Sequence, residues 1–305
     1  MPDAEAPADA PELDPSDAAS VAAVLHHCAA SLRDHPLRRG ASIHLPAEGR
    51  LTVTGDLHDN GFNLERVRRV AQLNASPDHH LILHEVIHGD NLVNGADLSI
   101  RTLAQVADLH NRFPTQVHLL QSNHELAQYL GEGIQKDGLA VVEAFDHGLS
   151  DLYGDAAEDV AEAVRAYVRG LPLCVRVAPP AGEALGLFVS HSLPAPRRIE
   201  PFDKTVIDRD LDDADLQPRG SAYDMVWGRH HNRKILDELA DAWGVSCFLL
   251  GHQPAELGWE TVAGRALVLA SDHQNGVAVP LDLGRAWTIE AVAEQAVMLN
   301  EVSVG

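Results

Sequence analysis

The sequence predicts an α/β domain, a parallel or mixed β-sheet covered by helices. Three observations lead there. Apolar, β-branched runs alternate with amphipathic helical segments through the first half of the chain. The composition is that of an ordinary globular chain, with 45% of its 305 residues hydrophobic and 22% charged. Several strand-like runs also break off abruptly on Asp, Glu, Asn or His, at the carboxyl ends where sites collect in open α/β sheets.

In chain order, residues 1–16 are acidic and rich in Pro and Ala, and read as a disordered tail. Ser16-Asp17 starts a helix over "AASVAAVLHHCAASLRDH". "ASIHL" and "RLTVTG" are short strands, and "NLERVRRVAQLNA" is an amphipathic helix. "HLILHE" is a buried strand, "DLSIRTLAQVADLHNRF" a helix ended by Pro114, and "QVHLLQ" a strand running directly into "SNHELAQYL". The middle, "IQKDGLAVVEAFDHGL" and "DAAEDVAEAVRAYVRG", is helical. "PLCVRV" and "ALGLFVSHS" are strands, 195–220 a long polar loop, "NRKILDELADAWG" a helix and "VSCFLLGHQP" a strand. The last stretches, from "RALVLAS" to "AWTIEAVAEQAVML", read as β-rich. No repeat or interior linker divides residues 17–305, which are taken as a single domain.

The charge balance narrows the function classes. Forty-five acidic residues face 23 basic ones, a net charge of -22, and such a surface repels nucleic acid and anionic membranes. No signal-peptide pattern and no apolar run near ~18 residues is present, so the chain reads as cytoplasmic. Cys28, Cys174 and Cys247 are far apart in apolar surroundings and read as core residues of a reducing compartment. Oligomeric state has no signature.

The informative stretch is "RLTVTGDLHDN". A buried strand that ends on an acid, a histidine and another acid is costly unless something compensates the charge, and a metal ion does so. The pattern recurs. "TVTGDLHD", "LILHE", "HLLQSNHE", "LFVSHS" and "CFLLGHQP" all end in ligand-type residues, although paired histidines among the 18 in the chain, such as His79-His80, read as filler.

These motifs resemble the calcineurin-like metallophosphoesterases, in particular the phosphoprotein phosphatase branch, whose pattern is GDxHG, GDxxDRG, GNHE and two later histidine motifs. Gly55-Asp56-Leu57-His58 matches the first, Ser122-Asn123-His124-Glu125 the third, His191 the fourth and His252 the fifth. The resemblance spans about 50–285. It implies a four-layer β-sandwich of mixed sheets flanked by helices and a pair of divalent transition-metal ions, Mn²⁺ foremost and Fe or Zn²⁺ as alternatives. It further implies that Asp56 and His58 bind the first ion and that Asn123, His191 and His252 complete the second. His124 falls at the family's general acid.

The second motif departs from the pattern. "LILHEVIHGDN" stands where GDxxDRG belongs. Aligning the strand puts Glu85 at the bridging acid and His88 at the second Asp, the partner of the general acid; aligning "GDNLVNG" offers Asp90 instead. Glu85 is preferred because a ligand belongs at the strand end. The motif's phosphate-binding Arg is absent in both registers, and Arg229 in "MVWGRHHNRK" is the candidate replacement. Asp59, in place of the first motif's closing Gly, reads equally as a site residue or a loop acid.

The expected activity is metal-dependent hydrolysis of a phosphomonoester, as in protein serine/threonine phosphatases, with a phosphoprotein or small phosphoester as partner. The rivals are a nucleotide or dinucleotide polyphosphate hydrolase, a non-catalytic phosphate- or protein-binding relative, and a His-rich metal buffer.

Overall fold

The computed structural model of the chain describes residues 10–131, 135–136 and 138–304. The strands are β1 (Arg38–Arg39), β2 (Ser42–Leu45), β3 (Arg50–Asp56), β4 (His79–His84), β5 (Leu92–Val93), β6 (Ala96–Asp97), β7 (Val117–Leu120), β8 (Gln135–Lys136), β9 (Leu139–Ala140), β10 (Cys174–Val177), β11 (Gly186–Ser190), β12 (Val245–Leu250), β13 (Trp259–Val262), β14 (Ala266–Leu269), β15 (Val277–Asp282) and β16 (Val297–Met298). The helices are α1 (Ala18–Arg33), α2 (Gly61–Ala71), α3 (Ile100–Arg112), α4 (Asn123–Leu130), α5 (Val141–Tyr153), α6 (Ala157–Gly170), α7 (Asp213–Leu216), α8 (Ser221–Trp227), α9 (Arg233–Trp243) and α10 (Ile289–Ala293).

Two large sheets face each other. One runs β1-β2-β10-β11-β12-β14-β13 and the other β16-β15-β3-β4-β7. Both are mixed: β3, β4 and β7 pair in parallel, whereas β15 joins β3 antiparallel. Alternation along the strands explains the layering. Leu51, Val53, Ile82 and Leu120 point inward to meet Ile43, Val175, Val189 and Leu249 of the other sheet. Leu81, Leu83, Val117 and Leu119 point outward onto α1, α3 and α6. Phe188, Phe248 and Val268 of the larger sheet pack on the side of α8 and α9. The four-layer sandwich flanked by helices is therefore what forms.

Local signals set many element ends. The Asp17 carboxylate accepts the backbone N–H groups of Ala19 and Ser20 and starts α1, a capping role typical of aspartate. Cys28, Cys174 and Cys247 are buried and unpaired.

Four expectations need correction. Residues 1–9 of the expected tail lie outside the described residues, but the chain is fastened from Glu12: its carbonyl accepts the Ser20 hydroxyl, Leu13 packs on the helical side of the core, and the Tyr153 hydroxyl donates to the Pro15 carbonyl. Of the helix expected from Ile134, positions 134 and 137 lie outside the described residues; among the described ones the helix starts at Val141, after a Gly138 at φ 83° between β8 and β9. Within the β-rich final stretch Ile289–Ala293 is helical, capped by the Thr288 hydroxyl. The polar loop contains α7, whose start is closed by a reciprocal Asp212–Asp215 capping box.

Candidate metal centre

The carboxyl ends of β3, β4, β7, β11 and β12 converge on one side of the sandwich. β3 ends on Asp56 and β4 on His84, with Glu85 directly after it. β7 leads through Ser122 into the first turn of α4, which carries Asn123 and His124. β11 leads to His191 and β12 to His252. The two sheets touch here: Asp56 bridges to Ala270, and its carbonyl accepts the Ser271 N–H.

The backbone is strained where these side chains leave the strands. His58, Asp59, Glu85, His88 and His252 have φ of 41°, 60°, 50°, 61° and 66°. That region is costly for residues with a Cβ, and such conformations persist where the surroundings over-determine them, often at functional sites. Glu125 is one such restraint, since its carboxylate accepts the N–H groups of Val86 and Ile87 and braces the turn that follows Glu85.

Glu85 is the hub. It is 3% exposed, and His191 Nε2, His58 Nε2 and His124 Nε2 lie 2.8, 3.0 and 3.9 Å from its oxygens. The Asn123 amide oxygen is 2.7 Å from the same His191 nitrogen. Donor atoms group within 4.8 Å of one another in three overlapping sets: Asp56, His84 and His191; His58, Glu85 and His124; and Glu85, His191 and His252. Asp56 and His58, expected to share an ion, fall in different sets. The Asp56 carboxylate accepts the His252 backbone N–H and turns toward His84 and His191, 3.5 and 3.4 Å away. Asp90, the alternative bridging acid, is exposed on the loop beyond and belongs to none of these sets.

Burial is the largest single influence on each group here, and charged partners together oppose it at three of them. Burial pushes the Glu85 carboxyl upward, but His191, His124 and His58 hold it well below the usual glutamate range. Burial and Glu85 together push Asp56 upward, and His191 and His84 outweigh them. Burial pushes the His191 imidazole down, yet Glu85 and Asp56 raise it to about 10. His252, by contrast, falls to about 3 through burial and the neighbouring His191 charge. His252 Nδ1 is buried without a hydrogen-bond partner. An orphaned nitrogen of this kind, in a carboxylate, imidazole and amide set with no thiolate, fits a divalent transition-metal ion.

A family model for calcineurin-like phosphoesterases matches residues 49–256, which contain all of these residues. The chain belongs to the calcineurin-like phosphoesterases. It is accordingly a phosphoric-ester hydrolase. Comparison with curated proteins returns no match. Among solved structures it is similar to a protein serine/threonine phosphatase from Saccharomyces cerevisiae with similarity to human phosphatase PP5, at 15% identity and TM-score 0.63, covering 88% of this chain and 86% of that one. It is also similar to a cold-active protein-tyrosine phosphatase of a psychrophilic Shewanella species, at 13% identity and TM-score 0.58, covering 84% and 80%.

At one of this phosphoesterase's departures from the motif pattern, space is short. A Cβ on Gly89 would lie 2.5 Å from the Asp59 Cβ and 2.7 Å from the His58 carbonyl oxygen, so no larger residue fits beside Asp59 on this backbone. Asp59 itself accepts the Thr102 hydroxyl, which is a loop-bracing role. Arg229 reaches the site from elsewhere: it is exposed, and its Nε–H donates to His252 Nε2 at 3.0 Å.

His88 meets His124, with the two Nδ1 atoms 2.9 Å apart, while His88 Nε2 lies 3.1 Å from the Gln128 amide oxygen. The Gln128 amide N–H donates to Asp146. The tautomers follow. Gln128 presents its oxygen, so His88 carries its proton on Nε2 and accepts through Nδ1 from His124 Nδ1–H. Burial, followed by the charge of His124, pushes His88 down to about 3, which keeps it neutral. Gln128 and His84 were not singled out in the sequence. Gln128 lies one helical turn after His124, a spacing that could have signalled it.

Proposed function

We propose that this phosphoesterase is a dinuclear-metal phosphomonoesterase of the phosphoprotein phosphatase-like branch, acting in the cytoplasm on a phosphorylated protein or small phosphoester. One observation carries the reading: a buried carboxylate, Glu85, contacted by imidazoles from three separate strand ends, with the unpartnered His252 Nδ1 in the same cluster. Asp56, His58 and Glu85 would hold one ion, and Glu85, Asn123, His191 and His252 the other, with Mn²⁺ the best match to the donors. When bound, such a pair polarises a phosphate and acidifies a water molecule.

The remaining chemistry belongs to the chain. His124 holds the proton for the leaving alkoxide on Nε2, which faces the site, while Nδ1–H is anchored on His88. A neutral His88 orients this ring but stabilises an imidazolium less than an aspartate does, which favours substrates with good leaving groups. Arg229 stands at the rim with a planar fork suited to a phosphate's oxygens. Burial of the hub excludes bulk water and strengthens each of these interactions.

The test is metal analysis of the purified protein together with hydrolysis of an aryl phosphate, a phosphopeptide and a dinucleotide polyphosphate, with and without Mn²⁺. Two equivalents of metal and Mn²⁺-dependent release of phosphate from the monoesters are expected. Fewer than about one equivalent after loading refutes the metal reading, and cleavage of the polyphosphate alone transfers the chain to the nucleotide hydrolases.

A further inference from the structure

We propose that His84 is a positioning residue that determines which nitrogen of His191 faces the metal centre. The inference rests on the two-ion reading and adds to it a residue outside the family pattern. With Glu85 at the bridging acid, His84 occupies the place of the motif's leading glycine.

His84 is the last residue of β4 and points into the layer between the sheets. Its Nε2 lies 3.0 Å from the Thr54 carbonyl oxygen. A carbonyl only accepts, so Nε2 carries a proton and donates it. In the neutral ring Nδ1 then holds a lone pair, and this atom lies 3.0 Å from His191 Nδ1. His191 therefore donates its Nδ1–H to His84, the nearer acceptor, with the Asp56 carboxylate 3.4 Å from the same nitrogen, and the ring's other nitrogen, Nε2, is directed at Asn123 and Glu85, 2.7 and 2.8 Å away. Metal-bound histidines commonly donate their second N–H to a carboxylate, carbonyl or water that fixes tautomer and ring orientation. Here an imidazole plays that part, and it is itself anchored on a strand backbone.

The slot for this ring is built into the fold. A Cβ on Gly251 would fall 2.4 Å from His84 Cε1 and 2.3 Å from Asp56 Oδ1, so only glycine there admits both side chains. His84 and His191 are both fully buried, so water does not substitute readily for the contact.

Two variants and one spectrum test the assignment. His84→Leu removes the nearer acceptor, leaving only the Asp56 carboxylate at 3.4 Å, while keeping an apolar side chain of similar reach, and His84→Asn keeps an acceptor at the place of Nδ1. By chelator competition with Mn²⁺, His84→Leu should bind the second ion about 10–100-fold more weakly than wild type, the usual effect of losing such a partner. His84→Asn should recover most of that loss. Thermal melts of the metal-free proteins report whether each variant folds.

On the wild-type protein loaded with ¹¹³Cd²⁺ and labelled with ¹⁵N-histidine, metal–nitrogen coupling should appear at His191 Nε2 and be absent from both His84 nitrogens. His84 Nδ1 should be unprotonated. This measurement decides the matter even if His84→Leu does not fold. Coupling at His84 would make it a ligand and overturn the positioning role, as would unchanged affinity in a folded His84→Leu. A wild-type protein that takes up no metal overturns the two-ion reading itself, and with it this inference.

Discussion

Two histidine clusters sit at opposite ends of the same parallel strands. At the amino ends of β4 and β7, His80 and His118 approach to 3.2 Å, His35 packs edge-on against His118, and His110 bonds the Val117 carbonyl and the Ser31 hydroxyl. At the carboxyl ends lie His58, His84, His124, His191 and His252. Both clusters are buried, and both contain ring nitrogens without hydrogen-bond partners: His35 Nε2 and His118 Nδ1 in one, His252 Nδ1 in the other. The difference lies in the acids. Asp56 and Glu85 stand inside the second cluster and raise His191 to about 10. The first has no ion pair among the described residues, and burial pushes all four of its histidines down, His35 and His110 to about 4. The strained φ angles of His58, Glu85, His88 and His252 are likewise confined to the second cluster. A density of histidines is therefore not itself a site. Carboxylates buried among them, on a backbone forced into position, make one.

The comparison breaks first at Glu85. Removing it takes away the acid that contacts three of the imidazoles and leaves only Asp56, so Glu85→Ala should lose metal and activity together. The loss should exceed the roughly 10–100-fold typical of an outer partner. Asp90→Ala, at the exposed loop, should keep its metal. Metal stoichiometry of the two proteins side by side is the measurement, and an empty Asp90→Ala would reverse the assignment.

Next is the acid. His124→Asn should retain metal and lose about 10²–10⁴-fold in turnover of alkyl phosphates, with a smaller loss on aryl phosphates whose leaving groups need little protonation. Equal losses on both would remove His124 from that role.

His88→Asp places a carboxylate beside His124 and should raise its pKa. Because the acid acts in its protonated form, the alkaline limb of kcat/KM should move to higher pH. Gln128→Leu frees the His88 tautomer and should reduce kcat by about tenfold without shifting metal content. A pH profile of each variant separates these effects from a general loss of fold.

The smallest effect belongs to the first cluster. Its histidines are neutral in the fold but titrate near 6.5 when unfolded, so the unfolded chain binds more protons between pH 6.5 and about 4. Stability contributed by this cluster is complete above pH 6.5 and is lost as the pH falls toward 4. His118→Leu should flatten that decline and recover on the order of 1 kcal/mol at pH 5 relative to pH 7.5, with metal content unchanged. Urea unfolding at the two pH values measures it. A metal loss in this variant would show that the clusters communicate.

Local chemistry by itself determined most of the elements and the motif residues. The N-cap at Asp17, the period of α3, the strand "LILHE" and the Ser122–Glu125 cap are all set by interactions within a few residues, and a single sequence displays them. Asp56, His58, Asn123, His124, His191 and His252 stand out for the same reason, as polar groups that abruptly end apolar runs. Its place at the strand end favours Glu85 over Asp90 in the sequence, and what the fold adds is that the backbone turn at Glu85 carries its side chain inward while Asp90 stays exposed. The Asp59–Gly89 exchange, the reach of Arg229 from the loop after α8, and the His84–His191 and His88–Gln128 contacts join residues from different elements. Such contacts arise when two sheets close face to face. His80 and His84 are four residues apart on the same face of one strand, and what distinguishes them is which end of the sandwich brings Asp56, His191 and Gly251 across to meet them.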